Sequence, residues 1–217
     1  MKAIFFEDFD NSYIPHILQE MYIEKVYDQF FKGKKDLTVM DCGGNIGLFT
    51  FFVEPHAKKI YTVEPSAKHT KVIKHMIEYN DFADKVEIVE KAISHEDGTA
   101  TFHHNSNQTM FSVKSIVDDG TEDTEEVETI RMDTLFTQLG IEHIDFLKLD
   151  IEGSECEVIG GEGFENIADK IDAMVIEWHD WSGRNPMHIK TSLEDYGFEV
   201  FSIPAKAKLF GAIRSNK

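Results

Sequence analysis

Short apolar runs alternate with helix-spaced apolar stripes along most of this chain, and the alternation predicts its elements in order. From 12 to 31 the residues Ile14, Ile17, Leu18, Met21, Val26 and Phe30 recur at mostly helical spacing, and Gly33 ends the segment. Residues 1–33 therefore predict an N-terminal helical cap. The run 37–40 predicts a buried strand, 48–53 a helix that stops near Pro55, and 59–63 a second strand. Val72, Ile73, Met76 and Ile77 form one stripe of a helix over 67–79, with Ser66 as its cap, and 86–89 is a third strand. Strand, helix, strand, helix, strand is half of a doubly wound parallel sheet, so the fold class is α/β.

The second half continues the alternation with one interruption. Residues 99–103 alternate like a strand, and 125–131 predict a strand returning to pair with them. Between them, 105–128 holds Asn105 to Gln108, the apolar pair Met110–Phe111 and an acidic run. A stretch this long without pattern predicts a functional loop, here an acidic lid over the site. Asp133 is expected to cap a short helix that Gly140 ends. An apolar strand over 144–151, a fifth over 173–178, a helix over 185–196 and a closing antiparallel hairpin from 198–203 and 208–213 complete one domain over 1–217.

Composition narrows the partners. The net charge is −18 over 217 residues. Proteins that grip phosphate backbones carry the opposite sign, which counts against nucleic acid and anionic membranes. Cys42 and Cys156 form no framework or metal-type pair. No basic-then-apolar leader and no membrane-length apolar run is legible, so a cytoplasmic location is expected.

The candidate chemistry sits at the strand ends. Asp41 closes the first strand, and Gly43, Gly44 and Gly47 follow before the helix. Glycines permit a sharp turn and a close ligand approach, and the helix start offers unpaired N–H groups. The second strand ends in Glu64–Pro65, at the distance from the glycine loop where an acid can take ribose hydroxyls. Ligands in such sheets lie beyond the carboxyl ends of the strands, where Lys91, Ala92 and Ile93 also fall, and adenine is placed against Ala92 and Ile93. Lys148 and Asp150 share one side of the fourth strand's end, and Glu177 and His179 close the fifth. Charges on a buried strand are costly unless paired or functional.

Taken together, Asp41-x-Gly-Gly-Asn-x-Gly, Val63-Glu64-Pro65, Lys91-Ala92-Ile93-Ser94, Met132-Asp133-Thr134-Leu135 and the run from Asp145 to Glu155 resemble the FkbM-type methyltransferases over about 37–203. The resemblance implies a Rossmann-like seven-stranded methyltransferase sheet, mostly parallel with a C-terminal antiparallel hairpin, and S-adenosylmethionine as cofactor. It implies that Asp41, Gly43, Asn45 and Gly47 hold the methionine half, that Glu64 holds the ribose and that Ala92 borders the adenine. It also implies O-methylation of a small molecule or sugar. The family loop more often carries Ala where Gly44 stands.

Methyl transfer needs an aligned acceptor oxygen and a group to take its proton. Asp150 and His179 are the expected activating pair, with Lys148 orienting Asp150. Asp150, Glu177 and His179 could instead hold a divalent cation such as Mg²⁺ against the acceptor oxygens. Two other functions compete: ribose 2′-O-methylation of RNA, which the charge opposes, and a non-catalytic cofactor-binding protein that has kept the fold.

Overall fold

A computed structural model describes residues 14–104, 111–112, 124–179, 182–204 and 206–215. In chain order the elements are α1 (Ile14–Leu18), α2 (Asp28–Phe31), β1 (Leu37–Cys42), α3 (Leu48–Val53), β2 (Ala57–Val63), α4 (Ala67–Tyr79), β3 (Val86–Val89), β4 (Ala92–Ile93), β5 (Gly98–His104), β6 (Phe111–Ser112) and β7 (Thr124–Ile130). They continue with α5 (Met132–Leu139), β8 (Phe146–Leu149), α6 (Glu155–Ile159), α7 (Glu162–Glu165), β9 (Ala173–Glu177), α8 (Met187–Asp195), β10 (Phe198–Ser202) and β11 (Leu209–Arg214).

A seven-stranded sheet runs β10-β11-β9-β8-β1-β2-β3. The pairs β1–β2, β2–β3, β1–β8 and β8–β9 are parallel, and β11 pairs antiparallel with both β9 and β10. The expected α/β sheet with its antiparallel closing hairpin is therefore the observed one. The chain leaves β1 towards β2 and β3, then crosses to β8 on the other side. That reversal beside β1 makes a crevice at the carboxyl ends of β1 and β8.

Short apolar strands become central strands because both faces are covered. One face carries Tyr27, Phe30, Phe31 and Phe49 around Phe146. The other face carries Met40, Leu147, Leu149, Met174 and Ile176 against Leu135, Phe136, Val158 and Leu193. Cys42 is fully buried in that second layer, and burial pushes its thiol far up, which makes it a small apolar residue rather than a nucleophile.

The structure differs from the sequence reading in several places. The cap is two short helices joined by a π-type turn over Gln19–Ile23, and Lys25 takes a left-handed φ of 55° that breaks any longer helix. Asp133 is not the cap of α5. The helix starts two residues earlier, at Met132 behind Arg131, and Asp133 accepts from that guanidinium at 2.9 and 2.7 Å. Ser66 stands at the N-cap of α4, but it is its backbone N–H, donating to Glu64, that is engaged there. A second sheet, β4-β7-β5-β6, was only half expected: β5 and β7 pair as predicted, and β4 adds in parallel beside β7. Within the supposed lid, 105–110 and 113–123 lie outside the described residues, and 124–128 belong to β7. Among the described residues, no helix is long and apolar enough to cross a membrane.

Candidate functional site

The glycine loop rests on the end of β2. Gly43 and Gly44 donate their N–H groups to the Val63 carbonyl at 2.9 and 3.0 Å. Gly43 (φ 83°), Asn45 (φ 47°) and Gly47 (φ 85°) all take left-handed conformations. A Cβ on Gly43 would stand 1.7 Å from the Asp150 carbonyl oxygen, and one on Gly47 would stand 2.7 Å from the Met76 methyl carbon. At Gly43 the obstructing atom is backbone, so packing as well as the turn demands glycine, whereas at Gly47 it is the end of a flexible side chain and the left-handed φ is the main demand. At Gly44, Thr62 Cγ2 lies 2.4 Å from the Cβ position. Gly44→Ala is therefore expected to destabilise this chain by about 1–2 kcal/mol, an overpacking cost. Thr62→Ser keeps the hydroxyl that meets Thr50 at 2.8 Å and removes the obstructing methyl, so the double variant should recover most of the loss in thermal denaturation.

Beside the loop lies a cleft of about 520 Å³, its open mouth included. Its lining includes Gly43 and Asn45 from the loop, Glu64 and Pro65 after β2, and Lys91, Ala92 and Ile93 after β3. Phe102 of β5, Asp150 and Glu152 complete it. The predicted residues Gly43, Asn45, Glu64, Ala92 and Ile93 thus share one cleft. Asp41 and Gly47 do not line it. Asp41 is wholly buried beneath the loop and accepts from Thr50 Oγ1 at 2.8 Å. Phe102 escaped the sequence reading, because its place on the cleft wall depends on the register of the small sheet.

Glu64 is held from several sides. Its Oε2 accepts the Asn45 N–H at 2.8 Å, and its Oε1 accepts the Ser66 N–H at 3.0 Å and faces His69 Nδ1 at 3.2 Å. The glycine loop, the end of β2 and the first turn of α4 therefore converge on one carboxylate.

A charged cluster borders the same cleft. Asp41 and Lys148 are register partners across β1 and β8. Lys148 Nζ lies 3.0 Å from Asp150 Oδ2, 3.3 Å from the Gly43 carbonyl and 3.8 Å from Asp41 Oδ1. Burial opposes its charge, but the two carboxylates outweigh burial and raise its pKa. Burial raises Asp41 to about 6, although Lys148 and the Thr50 hydroxyl pull it down.

His179 sits among acids. Its Nδ1 meets Glu155 Oε1 at 3.0 Å, and its Nε2 lies 3.3 Å from Glu152 Oε2 and 3.9 Å from Asp150 Oδ1. Burial works against its charge, yet Glu155, Glu152 and Asp150 together raise it to about 9. The surrounding acids thus favour an imidazolium at neutral pH. Burial and then Asp150 raise Glu152 to about 8 and Glu177 to about 7.

Glu155 is a functional residue that the sequence reading misses. It is almost fully buried and accepts the N–H groups of Ile151 and Gly153 as well as His179. It fixes the turn in which Glu152 takes a left-handed φ of 54°. The sequence hint was an acid in the first turn of a helix after a glycine. Glu155 also alters the metal set. At this site, among the described residues, the ligand atoms lying within 4.8 Å of one another belong to Asp150, Glu155 and His179, and Glu177 is not among them.

Residues 41–200 match the family described as the Methyltransferase FkbM domain. The chain belongs to the FkbM methyltransferase family. Methyltransferase sdnD of Sordaria araneosa is 27% identical over 85% of this FkbM chain and 82% of its own. The antimetabolite synthetase AmbE of Pseudomonas aeruginosa is 26% identical over 93% of this chain, which spans only 11% of that protein's length. The crystal structure of Methyltransferase FkbM from Methylobacillus flagellatus superposes with a TM-score of 0.56 at 13% identity, over 82% of this chain and 43% of that one. A Streptococcus mutans protein solved in complex with SAH gives 0.57 at 11% identity, over 88% and 97%. At these identities the two structures speak for the fold of this FkbM protein, which is Rossmann-like.

Proposed function

We propose that this FkbM methyltransferase uses S-adenosylmethionine to methylate a hydroxyl oxygen of a small molecule. One observation carries the proposal: Gly43, Asn45, Glu64, Ala92 and Ile93 line the same cleft as Asp150 and Glu152. The cleft's donors and acceptors fit the cofactor. The Glu64 carboxylate can take a ribose hydroxyl, Ala92, Ile93 and Phe102 offer apolar walls for adenine, and Asn45 stands at the loop. When bound, S-adenosylmethionine supplies a methyl group on a positively charged sulfur, which needs no further activation.

The remaining work is alignment and proton removal. Lys148 holds Asp150 at the cleft, and His179, fixed by Glu155, holds Asp150 and Glu152 together. The proton of the acceptor hydroxyl passes to this group of carboxylates. Glu177, Glu152 and His179 give up their own protons near 7, 8 and 9. The methyl-transfer rate should therefore climb between pH 6.5 and 8 as Glu177 and Glu152 become able to accept a proton, and loss of the His179 proton near 9 should bring no gain, because that proton makes the bridge to Asp150 and Glu152. A flat initial-rate profile across that range would count against the cluster as base.

We take the acceptor to be a small molecule rather than RNA. The cleft lining carries Asp150 and Glu152, and Lys148 is tied to Asp41, Asp150 and a backbone carbonyl, so it is not poised for a phosphate. We also take the reaction to need no divalent ion, since an imidazolium already bridges the acids that would bind one. Undiminished turnover in a chelator, and no gain with Mg²⁺, is the expected result.

The deciding experiment is calorimetric titration of S-adenosylhomocysteine into the wild type and Glu64→Ala. Saturable binding, weakened at least about ten-fold by the loss of a charge-assisted hydrogen bond, is expected. No binding by the wild type would sink the reading. Binding without turnover over a broad hydroxyl panel would favour a non-catalytic cofactor-binding protein.

A further inference from the structure

We propose that His69 is a positioning residue for cofactor recognition, acting through Glu64 and never touching the cofactor's ribose itself. The inference rests on the reading of the cleft as the S-adenosylmethionine site. His69 lies in the first turn of α4, and its side chain is wholly buried. It is not among the residues that line the cleft. Its Nδ1 faces Glu64 Oε1 at 3.2 Å, the oxygen that also accepts the Ser66 N–H. A carboxylate only accepts, so His69 Nδ1 carries the proton and donates it.

The consequence concerns capacity. A carboxylate offers about four acceptor directions. Asn45 uses one on Oε2, while Ser66 and His69 use two on Oε1. The open direction is then on Oε2, the oxygen already fixed by the glycine loop. His69 thus closes Oε1 to the ligand and turns Oε2 towards it. A side chain that merely filled space at this position would pack but would not direct the carboxylate. The glycine loop, held through Asn45, and helix α4, held through His69, are set against each other by this one group.

The test compares S-adenosylhomocysteine with its analogue lacking both ribose hydroxyls, using calorimetry on the wild type, His69→Leu and His69→Asn. Asparagine places an amide donor near the position of Nδ1, and leucine supplies bulk without a donor. Thermal denaturation of each variant shows that it is folded. The wild type is expected to prefer the hydroxylated ligand at least ten-fold, through hydrogen bonds to a charged group. His69→Leu should lose most of that preference and bind the analogue as the wild type does, and His69→Asn should regain it. A folded His69→Leu that keeps the full preference overturns the role of His69 while leaving the cofactor reading intact. Equal weakening for both ligands also overturns it, because that marks a general structural defect. A wild type that shows no preference for the hydroxyls removes the ribose role of Glu64, and this proposal falls with it.

Discussion

Phe146→Ala should lower the stability of the protein by about 3–5 kcal/mol, the usual cost of emptying a large aromatic site in a packed core. Phe146 stands on β8 in the centre of the sheet and is 1% exposed. Its ring centroid lies 4.7 Å from Phe31, 5.1 Å from Phe30, 6.0 Å from Phe49 and 6.4 Å from Tyr27. Three layers therefore meet on one side chain: the cap through α2, the helix α3 after the glycine loop, and the sheet. The four-residue α2 has no independent stability. It is held because Phe30 and Phe31 are buried against this ring. Two readouts should move together. Thermal unfolding should shift down by about 6–20 °C for a chain of this size. Trypsin should cut the cap at Lys25, Lys32 or Lys34 faster than in the wild type. Phe146→Leu, which keeps most of the volume, should cost clearly less. A shift of a degree or two in Phe146→Ala, with no change in proteolysis, would show that the cap is anchored elsewhere.

The elements that position the site were legible where local pattern and burial agree. The bounds of α3 follow from Gly47 ahead of it and Pro55 after it, and those of α4 from its apolar stripe. Strands β1 and β9 could be read because both their faces are buried, so most of their residues are apolar, whereas β3 is a half-buried edge strand read from its short apolar run alone. The cap was less legible, since its spacing is helical but Lys25 interrupts it with a left-handed residue that no periodicity shows. The cleft followed from strand ends, and Glu64, Ala92 and Ile93 came from that rule. What the sequence withheld was contact across the sheet. Asp41 reads as a strand-end acid, and that Lys148 is its neighbour on β8 shows only in the register. Phe102 reaches the cleft only through the pairing of β5 with β7. Glu155 looks like a surface acid of a short helix, because nothing in its spacing reveals that the turn before it points N–H groups back at its carboxylate. His179 has a histidine's ordinary pKa in isolation. It becomes a cation only when Asp150, Glu152 and Glu155 surround it.

Those cross-sheet charges carry the second large effect. Lys148→Met should cost about 3–5 kcal/mol at pH 8, the penalty for leaving one member of a buried ion pair without its partner. Asp41 is wholly buried, and its Oδ1 accepts no hydrogen bond, so Lys148 at 3.8 Å is its counter-charge. The pH dependence tests this cause. With Lys148 present Asp41 already stands near 6, raised by burial and held down by the lysine. Removing the lysine removes the downward pull, so the folded pKa rises further above its unfolded value. A group with a raised folded pKa holds its proton more tightly when native, and the stability it gives is lost as pH rises through that pKa. The deficit of Lys148→Met should therefore be greatest at pH 8 and shrink towards pH 5, where Asp41 can fold as a neutral acid. Asp41→Asn introduced into the same background should restore much of the stability at pH 8 and flatten the dependence, since a neutral amide can still meet the Thr50 hydroxyl. It should not restore methyl transfer, because Asp150 would remain without the ammonium group that holds it at the cleft. Denaturant midpoints at pH 5 and 8 for the single and double variants separate these outcomes. A pH-independent loss would mean that Lys148 contributes packing alone, and recovery of activity in the double variant would remove Lys148 from the positioning of Asp150.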